Sequence, residues 1–156
     1  MRGLLRQYAA VLEALAQTEA ILFKNNPVAD YAEWLVAQTL GLELVPKSSK
    51  GFDALDNEDT KYEIKARRLT ADNPSRQLSA IRSIEDQHFD YLAGVLFDHE
   101  FNVLRAAKIP WVVVNKLSTH RKHTNAAVHH LRDSVWDIPE VADLSELLQH
   151  TEADLS

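Results

Sequence analysis

Apolar residues recur at helical spacing along the first part of the chain. Leu4, Leu5, Tyr8, Val11, Leu12, Leu15 and Leu22 share one stripe, and Arg6, Glu13 and Gln17 lie off it. This pattern predicts an amphipathic first helix from Gly3 to Phe23. Asn26-Pro27 then offers a helix start, a capping side chain followed by a residue whose missing N–H is no loss in the first turn. A second helix is therefore expected from Pro27 to Leu40, closed by Gly41. Beyond it the pattern shortens. Leu42–Pro46, Phe52–Asp56 and Lys61–Arg67 are expected strands, separated by the polar loop Lys47–Gly51 and the turn Asn57–Thr60. Asn73-Pro74 repeats the start signal and predicts a helix through Gln87, followed by a buried strand over Phe89–Phe97. Asp98-His-Glu100 turns the chain into a strand over Phe101–Ala107, and Pro110 opens a short helix to Leu117. The C-terminal third is expected to be mostly helical, with Ile138, Val141, Leu144, Leu147 and Leu148 marking a last amphipathic stripe.

The order helix, helix, three strands, helix, two strands describes a mixed α/β domain in which an antiparallel meander precedes a crossover helix. A chain of 156 residues has room for one such domain, and 46% hydrophobic with 26% charged residues sets disorder aside. No apolar run reaches the roughly 18 residues of a membrane span, and Arg6 and Glu13 break the N-terminal apolar stretch, so no signal peptide is evident and a cytoplasmic location is expected. Cysteine is absent. Disulfides, thiolate zinc sites and cysteine nucleophiles are thereby excluded, and any metal must be held by oxygen or histidine.

A formal charge of -6 argues, taken whole, against a polyanionic partner. Its distribution changes that picture. Residues 61–82 carry six basic and two acidic side chains, and residues 101–132 carry six basic and none acidic. The acidic excess lies in 1–60, 83–100 and 133–156. Two basic blocks between three acidic ones can form a local footprint for phosphates.

The chemistry concentrates in the hairpin from Gly51 to Arg68. Side chains alternate along a strand, so Glu63 and Lys65 point to one face while Tyr62, Ile64 and Ala66 point to the other. If Asp56 pairs with Thr60, then Phe52 faces Ile64, Ala54 faces Tyr62, and Asp53 falls opposite Glu63. A slip by one would set Asp53 among the apolar residues, where an unpaired charge costs several kcal/mol. The favoured register thus gathers Asp53, Glu63 and Lys65. Two facing carboxylates repel, and a hard divalent ion such as magnesium, which takes carboxylate oxygens and keeps several waters, would relieve them.

Asp53 on one strand and Glu63-Ile64-Lys65 on the next resemble the PD-(D/E)XK nuclease superfamily, the restriction-endonuclease-like fold. The resemblance covers residues 27–107, implying an αβββαβ core with a mixed central sheet flanked by helices. Residues 1–24 would add an N-terminal helix and 108–156 a helical extension to the single domain 1–156. It implies a metal-dependent endonuclease of restriction or repair type acting on DNA. Asp53 and Glu63 would hold magnesium, with manganese as a substitute and the Ile64 carbonyl as a further ligand. Lys65 would orient or activate the attacking water. Glu33 in the second helix is at the position from which family members often add a carboxylate. Two alternatives stay open: a nucleic-acid-binding or structural module without catalysis, and a Holliday-junction resolvase.

Arg67, Arg68, Arg76 and Arg82 follow the acid-x-lysine strand and are candidate phosphate contacts. His120, His123, His129 and His130 lack cysteine or carboxylate partners at ligand spacing and fit a basic surface better than a zinc site. Asp56–Asp59 lacks the central glycine of a calcium loop and fits a polar turn. Trp34, Trp111 and Trp136 are expected anchors of the core or an interface. Cutting both strands of a duplex takes two centres, so a homodimer through the first helix or the C-terminal helices is expected.

Overall fold

The computed structural model describes residues 1–18, 21, 27–46 and 51–154. Its class is mixed α/β, with four α-helices and a mixed six-stranded sheet among the described residues. The first helix, α1, covers Arg2–Ala16 and the second, α2, Pro27–Leu40. Gly41 ends α2 in the left-handed region (φ +66°), and the Leu42 N–H returns to the Ala37 carbonyl at 2.9 Å, a Schellman-type stop. Asn26 and the loop 47–50 lie outside the described residues.

The sheet follows: β1 (Glu43–Leu44), β2 (Ala54–Leu55), β3 (Lys61–Arg68), β5 (Tyr91–Phe97), β6 (Val103–Pro110) and β9 (Ala142–Asp143), in that spatial order. Only β3 and β5 run parallel. A separate antiparallel sheet sets β4 (Ile81–Arg82), β8 (Ala126–Val128) and β7 (Thr119–Arg121) side by side. Two further helices, α3 (Trp111–Leu117) and α4 (Ser145–Asp154), complete the fold. No helix among the described residues is long and apolar enough to cross a membrane.

Strand alternation gives the molecule two cores. Tyr62 and Ile64 of β3 and Ala93, Val95 and Phe97 of β5 pack on one face against Ala32, Leu35 and Val36 of α2 and Leu148 of α4. Tyr31 of α2 donates its hydroxyl to Glu152 of α4 at 2.8 Å, tying the two covering helices together. On the opposite face, Leu92, Leu96, Ala107 and Ile109 meet Leu78, Ile81, Ala127 and Leu131. Trp34 packs against the first core and Trp111 and Trp136 against the second, each of the latter two with its indole N–H on a backbone carbonyl.

Three expectations are corrected. The helix expected over Asn73–Gln87 is absent, and with it the crossover helix of the αβββαβ scheme. Asn73 instead closes a turn with Thr70, and Ile84–Asp86 makes only a 3₁₀ turn. The C-terminal third is not mostly helical either: its helices are α3 and α4, and Ile138 and Val141 precede α4. One cause accounts for both. The two segments hydrogen-bond to each other, Leu78 N–H to His129 at 2.9 Å, Leu131 N–H to Arg76 at 3.1 Å, and β4 to β8. Leu78, Ile81 and Ile84 have helical spacing, yet their backbone groups are satisfied by pairing across the chain. Third, α1 stops at Ala16 rather than Phe23, and no residue of it is buried: Leu4, Leu5, Tyr8 and Val11 are 57–70% exposed.

Candidate active site

The β2–β3 hairpin has the expected register. Ala54 pairs with Tyr62 and Leu55 with Lys61, and the Asp56 N–H reaches the Thr60 carbonyl at 3.2 Å. Asp56 stabilises the turn by accepting from the Glu58 and Thr60 amides, both at 2.9 Å. The ladder ends at Ala54. One residue earlier, the Asp53 carboxylate replaces a backbone acceptor, taking the Ile64 N–H at 2.7 Å. That bond aims Asp53 at the edge of β3. A strand residue's N–H and C=O point to the same edge, so the Ile64 carbonyl is directed to the side of Asp53.

Phe52 departs from expectation. It packs with the second core rather than opposite Ile64, and stands with Asp53, Glu63 and Lys65 in the wall of a cleft of about 290 Å³. Arg82, Ser83 and His88 also line this cleft. Gly51, also in the lining, has φ +83°, and a Cβ there would collide with the His88 side chain, so this turn needs glycine twice over.

Lys65 Nζ lies 2.6 Å from Glu63 Oε1, and their side chains are only 20% and 10% exposed. Burial pushes the Glu63 carboxyl up, the Lys65 ammonium pulls it down, and the Asp53 carboxylate pushes it up again; the net is a rise above the usual carboxylate range. Burial alone would lower Lys65, but Glu63, with Asp53 and Glu33 behind it, overrides that and raises it. Lys65 is thus held as an ammonium. Glu33 lines an adjoining hollow with Lys65 and Arg67.

This donor set fits magnesium. Two carboxylates crowd one edge, one of them destabilised as an anion by burial and by its neighbour, which a divalent cation would offset. No group of three or more His, Asp or Glu side chains placed to hold a metal occurs among the described residues. Magnesium is commonly bound by one or two carboxylates with waters completing its shell, so a protein cage is not required.

The arginines divide. Arg82 stands at the cleft. Arg67 borders the Glu33 hollow and donates to Asn73 at 3.0 Å, and Arg68 lies over the Phe101 ring, 4.7 Å from its centre. Arg76 is taken up by Asp133 at 2.6 Å and does not join them. Among the histidines, His129 is a correction: it is 1% exposed, not part of a basic surface. The residues 126–131 that carry it are drawn into the second core by their pairing with 76–82. His88 was missed because the segment before it has the spacing of a helix, which hid its approach to the cleft.

No protein-family model and no curated protein matches the chain.

Proposed function

We propose that the protein is a magnesium-dependent nuclease of the restriction-endonuclease-like type, hydrolysing phosphodiester bonds in DNA. The observation that carries this reading is the gathering of Asp53, just before β2, with Glu63 and Lys65 of β3 in the wall of one cleft. A parallel β3–β5 pair beside an antiparallel β2–β3 hairpin, with α2 packed on the sheet, agrees with such a core. The irregular segment 69–80 stands where that fold carries a crossover helix.

Asp53 and Glu63, with the Ile64 carbonyl, would hold the ion, which supplies Lewis-acid polarisation of the phosphate and a more acidic water. Asp53 is positioned for this by the Ile64 amide, and Glu63 by Lys65. Lys65 works as a fixed positive charge. With its proton held by Glu63, it orients the attacking water and stabilises the charge developing on the phosphate, and it does not serve as the base. Glu33 adds negative charge behind Lys65 and helps keep it protonated. Arg82, in the lining of the same cleft, would contact a phosphate next to the scissile one. Cutting both strands of a duplex would take two chains.

The test incubates purified protein with magnesium or manganese and supercoiled plasmid, linear duplex, a four-way junction and RNA. Cleavage of DNA that is lost in Lys65→Ala, with binding retained, supports the reading. Preference for the junction would make the enzyme a resolvase. Binding with none of the substrates cut would overturn the nuclease and leave a nucleic-acid-binding module.

A further inference from the structure

The sheet β4-β8-β7 does more than cover the second core. Arg82 pairs with Ala126 across β4 and β8, and Arg121 pairs with the same Ala126 across β7 and β8. Residues directly opposite on neighbouring strands share a face, so the two arginines flank Ala126 in one row, their backbones two strand spacings or roughly 10 Å apart. The next row is Ile81, Ala127 and His120. Ile81 is 3% and Ala127 0% exposed, which makes that row the core side and the arginine row the solvent side. Arg82 and Arg121 are themselves exposed, and because Val128, on the same face two residues on, is buried, the open part of that face is the row of Ala126.

Three features suit this row to a phosphate backbone. Ala126 puts only a methyl group between the arginines, leaving an open floor. Lys122 follows Arg121 at the hairpin turn, and all three cations are exposed. Arg76 and Arg105 are held by Asp133, whereas Arg82 and Arg121 have no ion pair among the described residues. The hairpin is also anchored. Ser83 N–H donates to the Asn125 carbonyl at 3.0 Å and Asn125 Nδ2 donates to Ser83 Oγ at 3.1 Å, with Asn125 in the left-handed region at φ +45°. The neighbouring acid, Glu85, lies 3.8 Å from His120 and lines one hollow with Arg121 and Lys122, so the three cations of the row exceed it by two charges. Because Arg82 also lines the cleft of Asp53, Glu63 and Lys65, the row begins at the candidate active site and leads away from it.

We propose that Arg82, Arg121 and Lys122 form a track for the sugar–phosphate backbone of DNA where it leaves the cleft, a binding subsite separate from the reacting centre. The proposal rests on the nuclease reading for the direction of the strand. Its contacts, arginine forks and a lysine on phosphate oxygens, hold the backbone and read no base.

The test is fluorescence anisotropy of a short labelled duplex with the full chain in EDTA, which reads binding apart from cleavage, across a series of salt concentrations. Arg121→Ala is expected to weaken binding about tenfold near 0.1 M salt and to lower the slope of log affinity against log salt by about one; Arg82→Ala with Arg121→Ala lowers it by about two. Arg6→Ala, on α1, removes the same charge and is expected to leave both unchanged. Wild-type affinity and slope in Arg121→Ala, an equal loss in Arg6→Ala, or displacement of DNA by polyglutamate as effective as by unlabelled DNA would each overturn the track. A protein that shows the arginine-dependent binding yet cleaves nothing would overturn the nuclease reading and leave the track standing.

Discussion

The two faces of the six-stranded sheet are closed in different ways. On the first, α2 and α4 lie across β3 and β5 and seal Ala93, Val95 and Phe97, which are 0–1% exposed, under continuous helical surface. On the second, the cover is assembled from β4, the β7–β8 hairpin, the segment around Leu131, and α3. Gly94 is part of that assembly: a Cβ there would press on Leu131 at 2.8 Å. A cover built from pieces leaves an opening at the β2–β3 edge, and there Glu63 and Lys65 sit half-enclosed rather than sealed. Chemistry that needs both low dielectric and access finds it on the pieced face.

The largest expected effect separates the faces by stability. Leu35→Ala, which removes a fully buried side chain from α2, is expected to cost about 4 kcal/mol in chemical denaturation and to leave DNA binding intact. Leu78→Ala, under the pieced cover, is expected to cost less, about 2 kcal/mol, because neighbouring strands can close in, but to weaken DNA binding by loosening the strand of Arg82. Equal costs with no effect on binding would erase the distinction.

Acid sharpens it next. His129 belongs to the pieced face, with Nδ1 3.3 Å from Ser118 Oγ and Nε2 buried without a partner. Burial, reinforced by the charge of His130, pushes it down to about 4. The unfolded chain takes up that proton near 6.5, so the stabilisation is complete above pH 6.5 and lost as pH falls towards 4, up to about 3 kcal/mol. His129→Gln cannot titrate, and its melting temperature is expected to fall less between pH 7 and pH 4.5 than that of the wild type. Parallel curves would refute this.

A smaller effect concerns the ion pair. Lys65→Met leaves Glu63 buried beside Asp53 and is expected to cost about 2 kcal/mol at pH 7. Glu63 is raised already, so the cost shrinks on acidification as the carboxyl takes a proton. Glu63→Gln strands the Lys65 ammonium, which Asp53 and Glu33 balance only in part, and is expected to cost about 1 kcal/mol. Urea titrations at pH 7 and pH 5 decide between these and a solvated surface pair, for which both variants would be near zero.

Legibility in the sequence follows the same division. The bounds of α2, the β2–β3 register and the run of β5 were readable because each is governed by local signals: a proline start, a glycine stop, period-two alternation and a continuous apolar stretch. Asp53, Glu63 and Lys65 came with them, since register alone brings them to one edge. The cover of the second face was not readable. Leu78, Ile81 and Ile84 repeat every three residues, and only partners some fifty residues later turn that spacing into extended chain. His88, Arg121 and the burial of His129 depend on that long-range pairing, and nothing near them in sequence announces it. Phe52 shows the limit even within the hairpin: the ladder stops at Ala54, so alternation no longer decides its face.

The most direct test of the centre is a Mn²⁺ titration followed by electron paramagnetic resonance, on wild type, Asp53→Asn and Glu63→Gln. The expected result is one saturable site per chain in the wild type, competed by Mg²⁺ and lost in either variant. No site in the wild type, or a site that survives both substitutions, would contradict the assignment of Asp53 and Glu63 to a metal beside Lys65.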